Sequence, residues 1–440
     1  MKKAALHNLG CKVNFYETEA MKEILEQTGY EIVPFEERAD IYIVNTCSVT
    51  NMADRKSRQI LHRAKHRNPD AVVVAAGCYV QAAGRGLLQD ETVDILIGNN
   101  EKMNLPEILK AWEEEHSPGR IHDMTHEREY EGLSLSRTAE HTRAYVKIQD
   151  GCDQFCSYCI IPYTRGRVRS RRLPDILMEA NRLADNGYQE IVLTGIHLDS
   201  YGTDFASEEE TLLTVIEETA KIGGIRRIRL GSLEPRIMTE AFVRRLAAVE
   251  KLCPHFHLSL QSGCDETLKR MNRKYRTQEF RDCCARLREA FQIPALTTDV
   301  IVGFPGETEE EFEKTVEFLK EICFYETHVF KYSRRKGTRA DRMEGQVPEE
   351  VKTRRSSVLL KMTEENSAAY RRKLLGNTVE VLMEEAYEFN GRMYQAGYTR
   401  DYVRVAVPGE TALTNKLIWV KAERMLDKET VCGRTGTLPV

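Results

Sequence analysis

The stretch Gly151-Cys152-Asp153-Gln154-Phe155-Cys156-Ser157-Tyr158-Cys159 constrains this chain more than any other. Its thiols stand at a three-then-two spacing, directly after the alternating run 145–149, which reads as a strand. Such a turn brings three thiolates to one metal centre and has no fourth cysteine nearby. Structural zinc takes four closed ligands, so the set fits zinc poorly. A cube of four irons and four sulfides fits better, because three irons take cysteine and the fourth stays open. A zinc knuckle or three unrelated buried cysteines are the bland readings of the same spacing.

The rest of the chain bounds the context. Its 440 residues suffice for about two to four domains. No run approaches the length of an apolar membrane span. Met1-Lys2-Lys3-Ala4-Ala5-Leu6-His7 lacks the apolar stretch of a secretory signal and enters a strand pattern at once. A cytoplasmic protein is expected. In that reducing compartment the 12 cysteines read as metal ligands and buried small residues rather than disulfides. A net charge of only −4 announces no nucleic-acid partner, so local basic clusters must carry that argument.

Residues 1–115 alternate strands and helices. The strands are expected at 4–9, 41–45, 71–76 and 94–97, the helices at 15–27, 52–67 and 101–115. This pattern predicts an α/β fold with a doubly wound parallel sheet, whose strand carboxyl ends converge on one crevice. Cys11, Cys47 and Cys78 each lie within two residues of such an end. Though remote in sequence, they should meet in space as a second three-thiol set with one open iron. Three ordinary core cysteines are the bland alternative.

Leu9-Gly-Cys-Lys-Val-Asn14, Asn45-Thr-Cys-Ser-Val-Thr50 and Ala76-Gly-Cys-Tyr-Val-Gln81, followed by the loop at 151–159, resemble the radical S-adenosylmethionine (SAM) methylthiotransferases over essentially the whole chain. Within that family Lys12-Val13-Asn14 and Asp153-Gln154-Phe155 look like the branch acting on N6-threonylcarbamoyladenosine at position 37 of tRNA. The isopentenyladenosine branch carries a Gln-Met-Asn version of the first motif. The branch acting on a ribosomal-protein aspartate differs at the cluster loop and in its tail.

Residues 116–140 carry charges and histidines without apolar periodicity and read as a linker. His116, His122, His126 and His141 are irregularly spaced, as solvated side chains rather than a metal set. From 141 to 368 the alternation resumes, with strands expected at 190–194, 226–230, 255–260, 295–302 and 327–332. With the strand at 145–149 they suggest a partial (β/α)6 barrel, open on one side, with its chemistry at the strand carboxyl ends. Cys253, Cys264, Cys283, Cys284 and Cys323 have no ligand spacing. Glu234, in Ser232-Leu-Glu-Pro235, reads either as a cofactor contact or as a strand-end carboxylate paired with an arginine, the pairing being the more ordinary case.

Arg165, Arg167, Arg169, Arg171 and Arg172 crowd the segment after the cysteine loop. A basic run is ordinarily a solvated face; beside an active site it suits phosphate contacts, and Arg226, Arg227 and Arg229 could extend the surface. Residues 369–440 hold short β-rich runs at 378–383, 394–398, 403–407 and 416–421, which suggest a small β-barrel. It resembles the TRAM domain, an RNA-binding module. Tyr394, Tyr398, Tyr402 and Trp419 could stack on bases, though most are better read as core.

The resemblance implies two [4Fe–4S] clusters, one on Cys152, Cys156 and Cys159 and one on Cys11, Cys47 and Cys78. The first would cleave SAM to a 5′-deoxyadenosyl radical. The second would carry the sulfur, methylated by another SAM and delivered to carbon 2 of the adenosine. The family places the SAM amino group at Gly195, its ribose and carboxylate at Gln261, and its adenine beside Asp299. An external electron donor and a sulfur donor are implied, and no membrane. No side chain is assigned a catalytic step, because an aromatic C–H is beyond side-chain acid–base chemistry and the cofactors carry the hard step. A non-catalytic iron–sulfur electron carrier, or an RNA-binding module with structural metal, is the alternative of another class. An electron carrier would normally close all four iron positions.

Overall fold

The computed structural model describes residues 1–138, 142–207 and 209–436. In the first unit, β1 (Lys3–Asn8), β2 (Glu31–Ile32), β3 (Ile41–Thr46), β4 (Val72–Gly77), β5 (Ile95–Ile97) and β6 (Gly119–Arg120) form one parallel sheet. Its order is β2-β1-β3-β4-β5-β6. Helices cover both faces, so the strands are continuous apolar runs such as Val72-Val-Val-Ala-Ala76. Alternation along β3 sends Ile41 and Ile43 into one core, Tyr42 and Val44 into the other. The doubly wound sheet is as expected. Helix α1 (Lys12–Gln27) starts earlier than its apolar periodicity indicates, and a short helix α3 (Cys78–Ala83) follows β4 after the basic α2 (Asn51–Arg67).

The second unit is a partial barrel. A short antiparallel pair, β8 (Gln149–Asp150) with β9 (Arg169–Ser170), brackets the cysteine loop that follows β7 (Arg143–Lys147). The remaining barrel strands are β10 (Glu190–Thr194), β11 (Arg227–Leu230), β12 (His255–Gln261), β13 (Ala295–Val302) and β14 (Glu326–Lys331). They pair as β11-β10-β7 and β12-β13-β14, joined by bridges Ile228↔Leu252 and Leu233↔Leu258. The open flank lies between β7 and β14. The first unit packs there: Tyr16 and Ala20 of α1 share a core with Tyr145 and Val192 of the strands. Leu133 and Leu135 are buried in the same core, so the segment expected as a linker is in part a packed seam. His116, His122 and His126 are exposed; His141 lies outside the described residues.

A 24-residue helix, Glu349–Arg372, goes beyond the elements expected from the sequence pattern. It runs along β14, where Thr363 Oγ1 accepts the amide of Thr327 at 2.8 Å, and it crosses the expected boundary at 368/369. Beyond it β15 (Thr378–Phe389), β16 (Arg392–Thr399), β17 (Arg404–Pro408), β18 (Leu417–Met425) and β19 (Thr430–Thr435) close a barrel in the order β15-β16-β17-β19-β18. The fifth strand is an addition to the four expected runs.

This small barrel docks on the amino ends of β7, β10 and β11. Arg227 donates to Glu380 and to Tyr398 O, and Arg229 donates to Glu190 and to Arg400 O. Arg143 stands over the rings of Tyr398 and Tyr402, which stack on each other at 4.8 Å. Arg227 and Arg229 therefore do not extend a phosphate surface; of the three arginines only Arg226 is exposed. Tyr398 and Tyr402 are docking residues, while Tyr394 is core.

The arginine run needs the same correction. Arg165, Arg169 and Arg171 are buried, and Arg171 pairs with Glu179, which also accepts the Tyr16 hydroxyl. At the centre of the seam, Arg165 Nη1 lies 2.7 Å from Glu17 Oε1 and 3.0 Å from Asp150 Oδ2. Lys147 Nζ reaches the same carboxylates at 2.9 and 2.6 Å, and Lys102 Nζ reaches Glu17 at 3.2 Å. Burial alone would push Glu17 and Asp150 up; the surrounding cations outweigh it and hold both well below the usual carboxylate range.

Arg165 is the side chain that bonds Glu17, Asp150 and Asn14 together, so removing it strips three buried acceptor groups of a charged donor. Arg165→Met should therefore cost about 3–5 kcal/mol in denaturant unfolding, whereas Arg167→Met, whose partner Asp153 is also exposed, should cost less than about 0.5 kcal/mol. Because the folded carboxylates titrate low, their contribution is fully present at neutral pH. It is lost only as pH falls below the ordinary carboxylate range.

Candidate active site

Cys11 caps α1, Cys47 sits in the loop after β3, and Cys78 opens α3. They converge as the topology predicts: Cys11 and Cys47 each feel the charge of neighbouring thiols of the set. Gly10 makes the convergence possible. It has φ +112°, and a Cβ there would stand 2.9 Å from Cys47 Cβ and 3.1 Å from its Sγ. Asn14 Nδ2 ties two of the cysteine loops together by donating to Leu9 O and Thr46 O, both at 2.9 Å. Asn99 Nδ2 donates to Cys78 Sγ at 3.6 Å and to Thr164 O at 2.7 Å. Burial pushes the Cys47 thiol up to about 11, with Arg165 pulling back.

The second set hangs on the carboxyl end of the β7–β8 segment. Gly151 has φ +71°, and any Cβ there would fall 1.8 Å from Arg167 O, so the loop can turn only at glycine. The amide of Cys152 donates to Gly166 O at 3.0 Å, and that of Ser157 to Met271 O at 2.9 Å. Asn272 Nδ2 donates to Phe155 O at 2.9 Å, fixing a residue whose φ is +48°. Arg273 Nη1 donates to Cys156 Sγ at 3.2 Å, while its Nη2 meets Glu234 Oε1 at 2.6 Å. Glu234 thus pairs with an arginine, as its sequence context suggests. Burial raises the thiols of Cys152, to about 12, and of Cys159.

The two sets flank one short segment. Its residues Thr164, Arg165 and Gly166 bond respectively to the Asn99 that holds Cys78, to Asn14 beside Cys11, and to Cys152. Four cations, Lys102, Lys147, Arg165 and Arg169, stand against two carboxylates, Glu17 and Asp150, in the buried set next to Cys11 and Cys78. That surplus suits thiolate ligands carrying negative charge. Each place offers three sulfur donors, and Cys253, Cys264, Cys283 and Cys284 are buried elsewhere, with Cys323 exposed at a helix end. The donor chemistry fits two three-cysteine iron–sulfur clusters.

The other expected contacts are placed as follows. Gly195 follows β10 and is pressed by Gln149, whose Oε1 would lie 2.9 Å from a Cβ there. Gln261 ends β12 with φ +70° at a bulge. Asp299 lies within β13, short of its end, and its Oδ2 is 3.2 Å from His257 Nε2; His328 joins them in one cluster. His257 Nδ1 is in turn 3.0 Å from Thr297 Oγ1. Arg273, Asn99 and the buried ions are additions that sequence reasoning missed, while Asn14 stands in the first cysteine motif without its loop-tying role being legible there. Glu17 leaves a trace, as a carboxylate among the buried positions of α1, and so does Asp150, next to the cysteine loop.

Sequence profiles of known families match two stretches: the Radical SAM superfamily at 146–319 and the uncharacterized protein family UPF0004 at 3–98. A threonylcarbamoyladenosine tRNA methylthiotransferase MtaB of Bacillus subtilis is 41% identical over 96% of this chain and 94% of its own. The MtaB of Aquifex aeolicus is 39% identical over 87% and 93%. A tRNA-2-methylthio-N(6)-dimethylallyladenosine synthase of Desulfitobacterium hafniense is 35% identical over 95% and 94%. Among solved structures, the radical SAM methyltransferase TsrM of Kitasatospora setae superposes with a TM-score of 0.57 at 16% identity, over 75% of this chain and 73% of its own, a likeness of fold.

Gly10→Ala should displace Cys47 and lose about half of the iron taken up on reconstitution. Gly223→Ala, where a Cβ meets nothing within 4 Å, should keep it all; iron analysis of the two proteins checks this.

Proposed function

We propose that this chain, which belongs to the radical-SAM tRNA methylthiotransferase family, transfers a methylthio group to carbon 2 of N6-threonylcarbamoyladenosine at position 37 of tRNA. The observation that carries the reading is the pair of three-thiol sets on either side of the segment Thr164–Gly166, each three-ligand set suited to a cluster with one open iron. The choice of nucleoside rests on relatives. Those named for threonylcarbamoyladenosine reach 41% identity and those named for dimethylallyladenosine 35%. Lys12-Val13-Asn14 points the same way.

Cys152, Cys156 and Cys159 would hold one [4Fe–4S] cluster and Cys11, Cys47 and Cys78 the other; when bound, they supply the electron for SAM cleavage and the sulfur to be transferred. Everything else falls to the chain. Arg273 fixes Cys156 and Glu234 in one orientation by donating to both. Arg165 holds positive charge against Cys11 and Cys78. Tyr145 and Val192, covered by Tyr16 and Ala20, exclude water from one side of the barrel. Gly195, Gln261 and Asp299 would line the SAM and substrate space at the strand ends and in the lumen. His197 accompanies them, its imidazole 3.3 Å from Glu234. An external electron donor and a sulfur donor complete the reaction. Among the described residues no helix is long and apolar enough to cross a membrane.

Nucleoside mass analysis of tRNA from cells with and without the gene tests this. Deletion should remove 2-methylthio-N6-threonylcarbamoyladenosine and accumulate its precursor, and a Cys47→Ala copy should not restore it. Loss of the methylthio-isopentenyl nucleoside instead would transfer the assignment to the other branch.

A further inference from the structure

With Arg165, Arg169, Arg171, Arg227 and Arg229 all occupied inside the protein, an RNA backbone needs cations elsewhere. The segment 333–342, Ser-Arg-Arg-Lys-Gly-Thr-Arg-Ala-Asp-Arg, carries five basic residues against one acid. It leaves β14 and touches both cysteine loops. On one side Arg335, itself buried, donates to Ser48 Oγ at 2.7 Å and to Asn51 and Asp54 at 2.8 Å, beside Cys47. On the other, the amide of Ala340 donates to Ser157 O at 2.7 Å, between Cys156 and Cys159. Thr338 Oγ1 folds the strap on itself by donating to Arg335 O at 2.7 Å.

The strap is therefore fixed by its buried residues and turns others outward. Lys336, Arg339 and Arg342 are exposed and, among the described residues, lie within 4.0 Å of no carboxylate. Helix α2 starts at the residue that Arg335 and Ser333 bind, and its outer face adds Arg55, Lys56 and Arg63, exposed and equally without a carboxylate partner among the described residues. Exposed cations with no internal carboxylate are available to a polyanion, and their stability cost is small because they stay solvated.

Building on the tRNA reading above, we propose that the strap 334–342 and the outer face of α2 form the phosphate-binding track for the RNA strand whose base enters between the two cysteine loops. A strand lying on this track passes both loops, because the strap is bonded to each. An acidic protein segment would use the same cations, but it has no reason to lie across two metal-binding loops, whereas a modified nucleotide must. Contacts to phosphate position a strand without reading its sequence, so nucleoside choice falls to the lumen.

The test uses the reconstituted enzyme and tRNA from the deletion strain, with the dissociation constant measured across a potassium chloride series. One variant combines Lys336→Glu with Arg339→Glu in the strap; the other combines Arg55→Glu with Lys56→Glu in α2. Each pair should weaken binding by about tenfold or more and lower the salt slope by about 1.5, with iron content and melting temperature unchanged. Wild-type affinity and slope in both pairs would overturn the track while the tRNA reading stands. Unchanged tRNA binding with lost retention of polyglutamate would assign the strap to an acidic protein and also overturn it. If the unaltered enzyme itself fails to bind tRNA at low salt, the tRNA reading falls, and the track with it.

Discussion

The buried ion set of Glu17, Asp150, Lys147 and Arg165 is the interaction on which the rest of the structure depends. Each of these charges would cost several kcal/mol to bury alone, so they are tolerated only in one another's company and in one relative geometry. Glu17 belongs to α1, Lys147 to β7 and Arg165 to the segment after the second cysteine loop. Their mutual contact therefore fixes the first unit against the barrel in rotation as well as in distance. Since Cys11 stands at the start of α1 and Cys152 is bonded to Gly166, the relative position of the two thiol sets follows from the charges between them.

The second seam obeys the same logic at the opposite end of the barrel. Arg143, Glu190, Arg227 and Arg229 are neighbours at the amino ends of adjacent strands. Their charges are covered by Glu380, Glu384 and the stacked Tyr398 and Tyr402 of the small barrel. The module that resembles an RNA-binding domain is thus anchored away from the cysteine loops, by the aromatic residues that would otherwise offer themselves to bases. Engagement of RNA close to the chemistry falls to other elements.

What can be read from the sequence follows from which signals are local. Period-two and period-3.6 patterns locate the strands and most helices, and the rule that ligands gather at strand carboxyl ends brings Cys11, Cys47 and Cys78 together without any coordinates. The arginine run misleads because a charge does not announce its partner. Arg165 meets Glu17 across 148 residues of sequence. The helix Glu349–Arg372 escapes notice because its buried face is largely polar, with Lys352, Arg355, Ser356, Ser367 and Arg371 among the buried positions, so no apolar stripe marks it. Arg273, which touches Cys156, lies in a stretch with no motif, and only the fold brings it there.

The central claim is that one charge-built seam holds two three-thiol sets against each other. Electron paramagnetic resonance of the reconstituted enzyme with both clusters reduced tests it most directly, because magnetic interaction between two centres falls steeply with distance. The account predicts a spectrum broadened and split by coupling between the clusters, resolving to a simple single-cluster signal when Cys47 or Cys156 is replaced by Ala. Two sharp signals that merely add, with both clusters at full occupancy, would contradict it.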